Sequence, residues 1–151
     1  MRFWTRRFCG VSIRLIDQAR PQSSTPIILA PGDGRAYEIG AMRGVFKADG
    51  LETQDRYCVS EWSVEPGQRG PGPHHHEANE ELFLVTEGTM WFLAGEDWVA
   101  APTGTFLRIP AGVTHDFENR GDVRATAFNV FIPGGFEASF SEWADAAADR
   151  S

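Results

Sequence analysis

From Tyr37 onward the chain is a series of short β-type runs separated by turn chemistry, and this pattern constrains the fold more than any other feature. "EIGAMRGVFK" and "RYCVSEWSVE" flank a segment opening with Asp49-Gly50, which reads as a strand pair joined by a loop. "EELFLVT" is followed by Glu87-Gly88, "TMWFLA" by the turn "GED", and "WVAA" by "PTG". "TFLRIP", "THDFEN" and "ATAFNVFI" come after these. Short strands at even spacing predict an all-β sandwich or small barrel. Sixteen glycines, nine prolines and eleven phenylalanines suit that architecture better than a helical bundle.

At 151 residues, one barrel domain is expected over 37–151, preceded by an N-terminal arm and loop over 1–36. After Pro133-Gly134-Gly135, the aromatics Phe136, Phe140 and Trp143 recur at i, i+4 and i+7. That spacing predicts a short C-terminal helix sealing one side or end of the barrel.

The net charge of −7 argues against nucleic acid or an anionic membrane as the main partner. Residues 1–20 carry five arginines and one aspartate, net +4, so the remainder carries −11. Arg14 and its polar neighbours interrupt any secretory apolar core there. No stretch approaches the ~20 apolar residues of a membrane span, so a cytoplasmic protein is the expectation. Cys9 and Cys58 form no CxxC and read as two unpaired thiols.

The chemistry concentrates in "HHHEANEE", which holds three of the four histidines. Side chains alternate across a strand, so His74 and His76 face one way and His75 the other. Glu81 follows His76 by five residues, which on a continuous strand would place it on the wrong face. "EANE" reads as a bend that resets the geometry, after which Glu81, Phe83 and Val85 share one face. The fourth histidine, His115, opens a strand after the turn Pro110-Ala111-Gly112, with Phe117 on the same face. His74, His76, Glu81 and His115 together make a mixed nitrogen and oxygen donor set. Such a set suits one divalent transition metal: Fe, Mn, Co, Ni, Cu or Zn.

These residues carry a resemblance to the cupins, small β-barrel proteins with two sequence motifs. The first motif has the form G-x5-H-x-H-x3 or x4-E-x6-G. His74, His76, Glu81 and Gly88 fall at its spacings, while Gln68 stands at the opening glycine, flanked by Gly67 and Gly70. Glu80 would also satisfy the shorter spacing, but it leaves seven rather than six residues between itself and Gly88, so Glu81 is preferred. The second motif, G-x5-P-x-G-x2-H-x3-N, is matched in full by Gly104, Pro110, Gly112, His115 and Asn119. Gly88, Gly104, Pro110 and Gly112 read as turn residues, and Asn119 as a structural hydrogen-bonder. Glu61, Arg108 and Asp116 read as surface charges. The tail "PGGFEASFSEW" is similar to the end of quercetin-dioxygenase-like cupins.

The resemblance implies a cupin double-stranded β-helix, or jelly-roll, with its core motifs over 67–119. It implies that His74, His76, Glu81 and His115 hold the metal. It further implies a dioxygenase acting on a small enolisable or phenolic substrate, with Glu81 catalytic through proton transfer. Phe83 and Phe117 would be apolar walls of the substrate pocket. A non-redox isomerase, cyclase or lyase, and a non-catalytic metal- or ligand-binding cupin, are the alternatives. The segment "YEIGAMRGVFK" could add a strand to a partner's sheet, so a homodimer is expected.

Overall fold

A computed structural model of the protein describes residues 25–139. Among the described residues nine strands form: β1 Arg35–Ile39, β2 Met42–Ala48, β3 Cys58–Val64, β4 Glu80–Glu87, β5 Thr89–Ala94, β6 Asp97–Pro102, β7 Phe106–Ile109, β8 His115–Glu118 and β9 Ala125–Ile132. They make a six-stranded sheet, ordered β1-β2-β3-β9-β4-β7, and a three-stranded sheet, ordered β6-β5-β8. Every named pairing is antiparallel. This is the expected all-β jelly-roll barrel.

The period-2 pattern explains which face turns inward. Along β3, Cys58, Ser60, Trp62 and Val64 are buried while the residues between them are less so. On β4 the inward residues are Glu81, Phe83 and Val85. Phe83 from the larger sheet meets Phe92 and Phe117 from the smaller, at centroid separations of 5.0 and 6.1 Å. Burying each such aromatic contributes about 1.5–3 kcal/mol, so this cluster is what closes one sheet on the other.

Two local predictions are refined. "EIGAMRGVFK" forms two strands, β1 and β2, folded back at Gly40 and Ala41, and β2 then pairs with β3. Asp49-Gly50 opens a one-turn helix, α1 (Gly50–Thr53), rather than a plain loop. The reason is a capping box, in which the Asp49 carboxylate accepts from Leu51 N (2.9 Å) and Glu52 accepts from Asp49 N (2.9 Å). Phe136–Ser139 form a single 3-10 turn; Phe140 and Trp143, needed for the predicted helical face, lie outside the described residues. Cys58 is buried, and burial, with Glu137 nearby, raises its thiol pKa; Cys9 is outside the described residues. Among the described residues, no helix is long and apolar enough to cross a membrane.

Glu52 also accepts from both terminal nitrogens of Arg35, at 2.9 and 3.0 Å, tying α1 to β1. Those hydrogen bonds lower the Glu52 pKa from the ordinary 4.5 to about 2. A depressed carboxylate pKa adds stability above the unfolded value and loses it as pH falls through the folded one. Glu52→Gln should therefore flatten the fall in unfolding free energy between about pH 4.5 and 2, measured by denaturant titration. An unchanged slope would contradict this.

Candidate metal centre

His74 and His115 are brought together by backbone pairing, not only by side-chain contact. They form an isolated antiparallel bridge with both hydrogen bonds made, His74 N to His115 O at 3.0 Å and the reverse at 2.8 Å. Directly opposed residues on one face lie close, and here the two rings stand 4.4 Å apart. The turn Pro110-Ala111-Gly112 sets up this approach: Val113 N returns to Pro110 O, and Gly112 N reaches His76 O. His76, two residues on, points the same way, 5.1 Å from the His74 ring and 5.3 Å from that of His115. The chain bends at Glu77 and Ala78, as the sequence required, and Glu81 then enters β4 facing inward.

One oxygen of Glu81 is the focus. Its Oε1 lies 2.8 Å from His76 Nε2 and 2.9 Å from His115 Nε2. The ligand atoms of His74, His76, Glu81 and His115 all fall within 4.8 Å of one another. His76, Glu81 and His115 are buried, and His74 is half-buried. Backbone carbonyls select the tautomers: His74 Nδ1 sits 2.7 Å from Gly72 O, and His115 Nδ1 2.9 Å from Val113 O. A proton on each Nδ1 leaves Nε2 as the electron-pair donor, the arrangement that orients metal-bound imidazoles. Three imidazoles and one carboxylate thus fit a divalent transition metal in donor type and in orientation.

The electrostatics are those of a buried ion pair. Burial pushes the Glu81 pKa up, but hydrogen bonds from His115 and His76 outweigh it, and the net shift is downward. At His115 burial opposes the charge, yet Glu81 prevails and the net shift is upward. His74 is shifted down, chiefly by burial, with the neighbouring imidazoles adding to it.

The competing residues turn outward. The exposed His75 ring lies 2.9 Å from Glu77, and Glu80 accepts from Arg108 Nε at 2.9 Å. Phe83 and Phe117 stand two residues along from Glu81 and His115 and pack in the core. Phe131, which sequence reasoning did not single out, packs edge-on against His76 at 5.3 Å. Asn129 was also missed; its amide donates to Glu81 Oε2 at 3.0 Å. Asn119 is a structural hydrogen-bonder, donating to Val64 O and Val123 O and accepting from Gly121 N.

Asp116 departs from its expected surface position and is buried. Its parity points it outward from the barrel, but the segment before His74 crosses over it. Arg69 bridges Glu118 there, and Gly70 lies so close that a Cβ would sit 1.8 Å from the Phe117 oxygen. The left-handed turn entering this segment is at Gly67 (φ +69°), one position before Gln68, so the motif's displaced glycine is supplied by a neighbour. Asp116 Oδ1 accepts from Phe117 N (2.8 Å) and Gly72 N (3.2 Å), and burial raises its pKa. It thereby braces the residue whose carbonyl orients His74. Asp116→Ala should lower unfolding free energy by about 1–3 kcal/mol in denaturant titrations, since both amides lose their acceptor. A neutral result would contradict the bracing role.

The family model described as "Cupin domain" matches residues 60–131. No curated protein matches the chain. Among solved structures, KdgF from Halomonas sp. is similar with a TM-score of 0.65 and 13% identity, covering 76% of this chain and 99% of that one. An RmlC-like cupin from Shewanella frigidimarina gives 0.63 and 13%, covering 76% and 96%. A predicted oxalate decarboxylase from Thermotoga maritima gives 0.58 and 19%, covering 61% and 80%. With both motifs, the jelly-roll topology and this family match, residues 60–131 are a cupin domain.

Proposed function

We propose that the protein is a metal-dependent enzyme, a dioxygenase acting on a small enolisable or phenolic organic substrate. The observation that carries this reading is the convergence of His74, His76, Glu81 and His115 on one point inside an aromatic barrel. These four residues would hold one divalent transition metal, which supplies Lewis acidity and, for a redox-active ion, oxygen chemistry. Three neutral imidazoles and a single carboxylate leave a bound divalent ion with net positive charge, which favours an enolate or phenolate over a neutral ligand.

The chain's own contribution is positioning and proton transfer. His74 is the half-buried member of the set, which supports substrate approach from its side. Glu81 Oε1 lies 2.8 and 2.9 Å from the Nε2 atoms of His76 and His115 and is the atom suited to take a proton from a substrate hydroxyl. Trp62, Phe117 and Phe131 line the inward face nearby and limit water. Glu81 could perform the same transfer without oxygen, and this favours a second reading, a non-redox isomerase, cyclase or lyase.

An oxygen electrode and an anaerobic chamber separate the two. Metal-loaded protein screened on flavonols and other enolisable compounds should consume oxygen with substrate, and lose turnover under strict anaerobiosis. Sustained anaerobic turnover would overturn the dioxygenase reading, and no turnover on any compound would favour a binding protein. Glu81→Gln should lower turnover by about 10²–10⁴-fold and reduce metal content. Full activity in that variant would overturn Glu81 as the base.

We also propose a homodimer, because β1 lies at the outer edge of the six-stranded sheet and edge strands recruit partner strands. Light scattering at micromolar concentration should give twice the chain mass. The single chain mass would contradict it.

A further inference from the structure

The barrel interior contains a line of polar side chains that an apolar core does not need. Asn129, Ser60 and Trp62 face inward from β9 and β3, and Asn129 and Ser60 are fully buried. Asn129 is the one amide in the inward row Ala125, Ala127, Asn129, Phe131. Backbone register sets it directly opposite Ser60 on one side and Phe83 on the other. That puts its side chain diagonal to Glu81, which pairs with Phe131.

The hydrogen bonds run in one direction. Trp62 Nε1 donates to Ser60 Oγ at 3.0 Å. Ser60 Oγ donates in turn to Asn129 Oδ1 at 3.3 Å. Asn129 Nδ2 donates to Glu81 Oε2 at 3.0 Å, with a longer contact to Leu82 O at 3.4 Å. An indole nitrogen can only donate and an ionised carboxylate can only accept, so the two ends together fix the polarity of the line. With its oxygen engaged by Ser60, the Asn129 amide presents its NH2 to the carboxylate and not the reverse. Glu81 Oε2 is thus capped by a donor while Oε1 faces the three imidazoles.

From this geometry we infer that Asn129 is a positioning residue for the metal centre, held in its working orientation by Ser60 and Trp62. Its action is to hold Glu81 one-handed, with Oε1 presented to the ion and Oε2 withheld from it. A capped Oε2 keeps the carboxylate from closing on the ion with both oxygens, so a coordination position stays available for a ligand from outside. The inference rests on the metal-centre reading of His74, His76, Glu81 and His115, but not on any particular reaction.

Co(II) alone serves as the probe, with affinity measured by chelator competition and coordination read from its visible absorption spectrum. The full-length protein should bind one Co(II) per chain. Asn129→Leu, similar in size but without a donor, should weaken Co(II) binding by about 10–100-fold and change the shape and intensity of the visible bands. Ser60→Ala leaves Asn129 in place but frees its amide to turn, and should shift both readouts the same way by less. It also covers the case in which the Asn129→Leu chain does not fold. Circular dichroism of the metal-free variants separates folding from binding, since a merely structural role would lower the melting temperature without altering the Co(II) spectrum. Native affinity and a native spectrum in folded Asn129→Leu, or in Ser60→Ala if only that variant folds, would overturn the positioning role and leave the metal centre standing. Failure of the unmodified protein to bind Co(II) would overturn the metal centre and the inference with it.

Discussion

A carboxylate held in a dry aromatic barrel is the constraint on which the rest of this structure depends. Charge removed from water is costly unless every lone pair is engaged, and Glu81 is almost fully enclosed. Its two oxygens divide the task. Oε1 meets His76 and His115 within 2.9 Å, and Oε2 meets the Asn129 amide at 3.0 Å. Removing any one partner leaves a buried polar atom with less than it needs, so the donors are bound together by the charge they share. A divalent ion at the same point would satisfy the same electron pairs.

The scaffold's irregular parts serve that charge. The jelly-roll brings β4 beside β9 and β7, and β8 beside β5, but no regular strand carries His74. A separate crossing segment delivers it, fastened by the Arg69–Glu118 and His74–His115 bridges. Gly70 lets this segment lie against the Phe117 carbonyl, and Asp116 holds its Gly72 amide. Gly72 O then orients the His74 ring. Burial of Asp116, which looks misplaced on a strand face that parity turns outward, follows from this second layer of chain.

The four converging side chains were legible because strand parity and turn chemistry are local rules. His74 and His76 share a face two residues apart, the bend at Glu77 and Ala78 resets Glu81, and Pro110-Ala111-Gly112 returns the chain to His115. Most strands were legible for the same reason. Asn129, Ser60 and Asp116 were not, because their roles arise from pairings across long sequence separations, such as Ser60 opposite Asn129. A signal for Asn129 did exist: one amide at an inward position of "ATAFNVFI", where an apolar residue would otherwise stand. The split of "EIGAMRGVFK" into two strands was hidden because Gly40 reads equally as a strand glycine or as a turn.

Anomalous diffraction from crystals soaked in a first-row divalent metal tests the central claim most directly. One strong peak is predicted, contacted by His74, His76 and His115 through Nε2 and by Glu81 through Oε1 alone, with His75 and Glu80 turned away. A peak elsewhere, no peak, or a metal shell built without Glu81 would contradict the account.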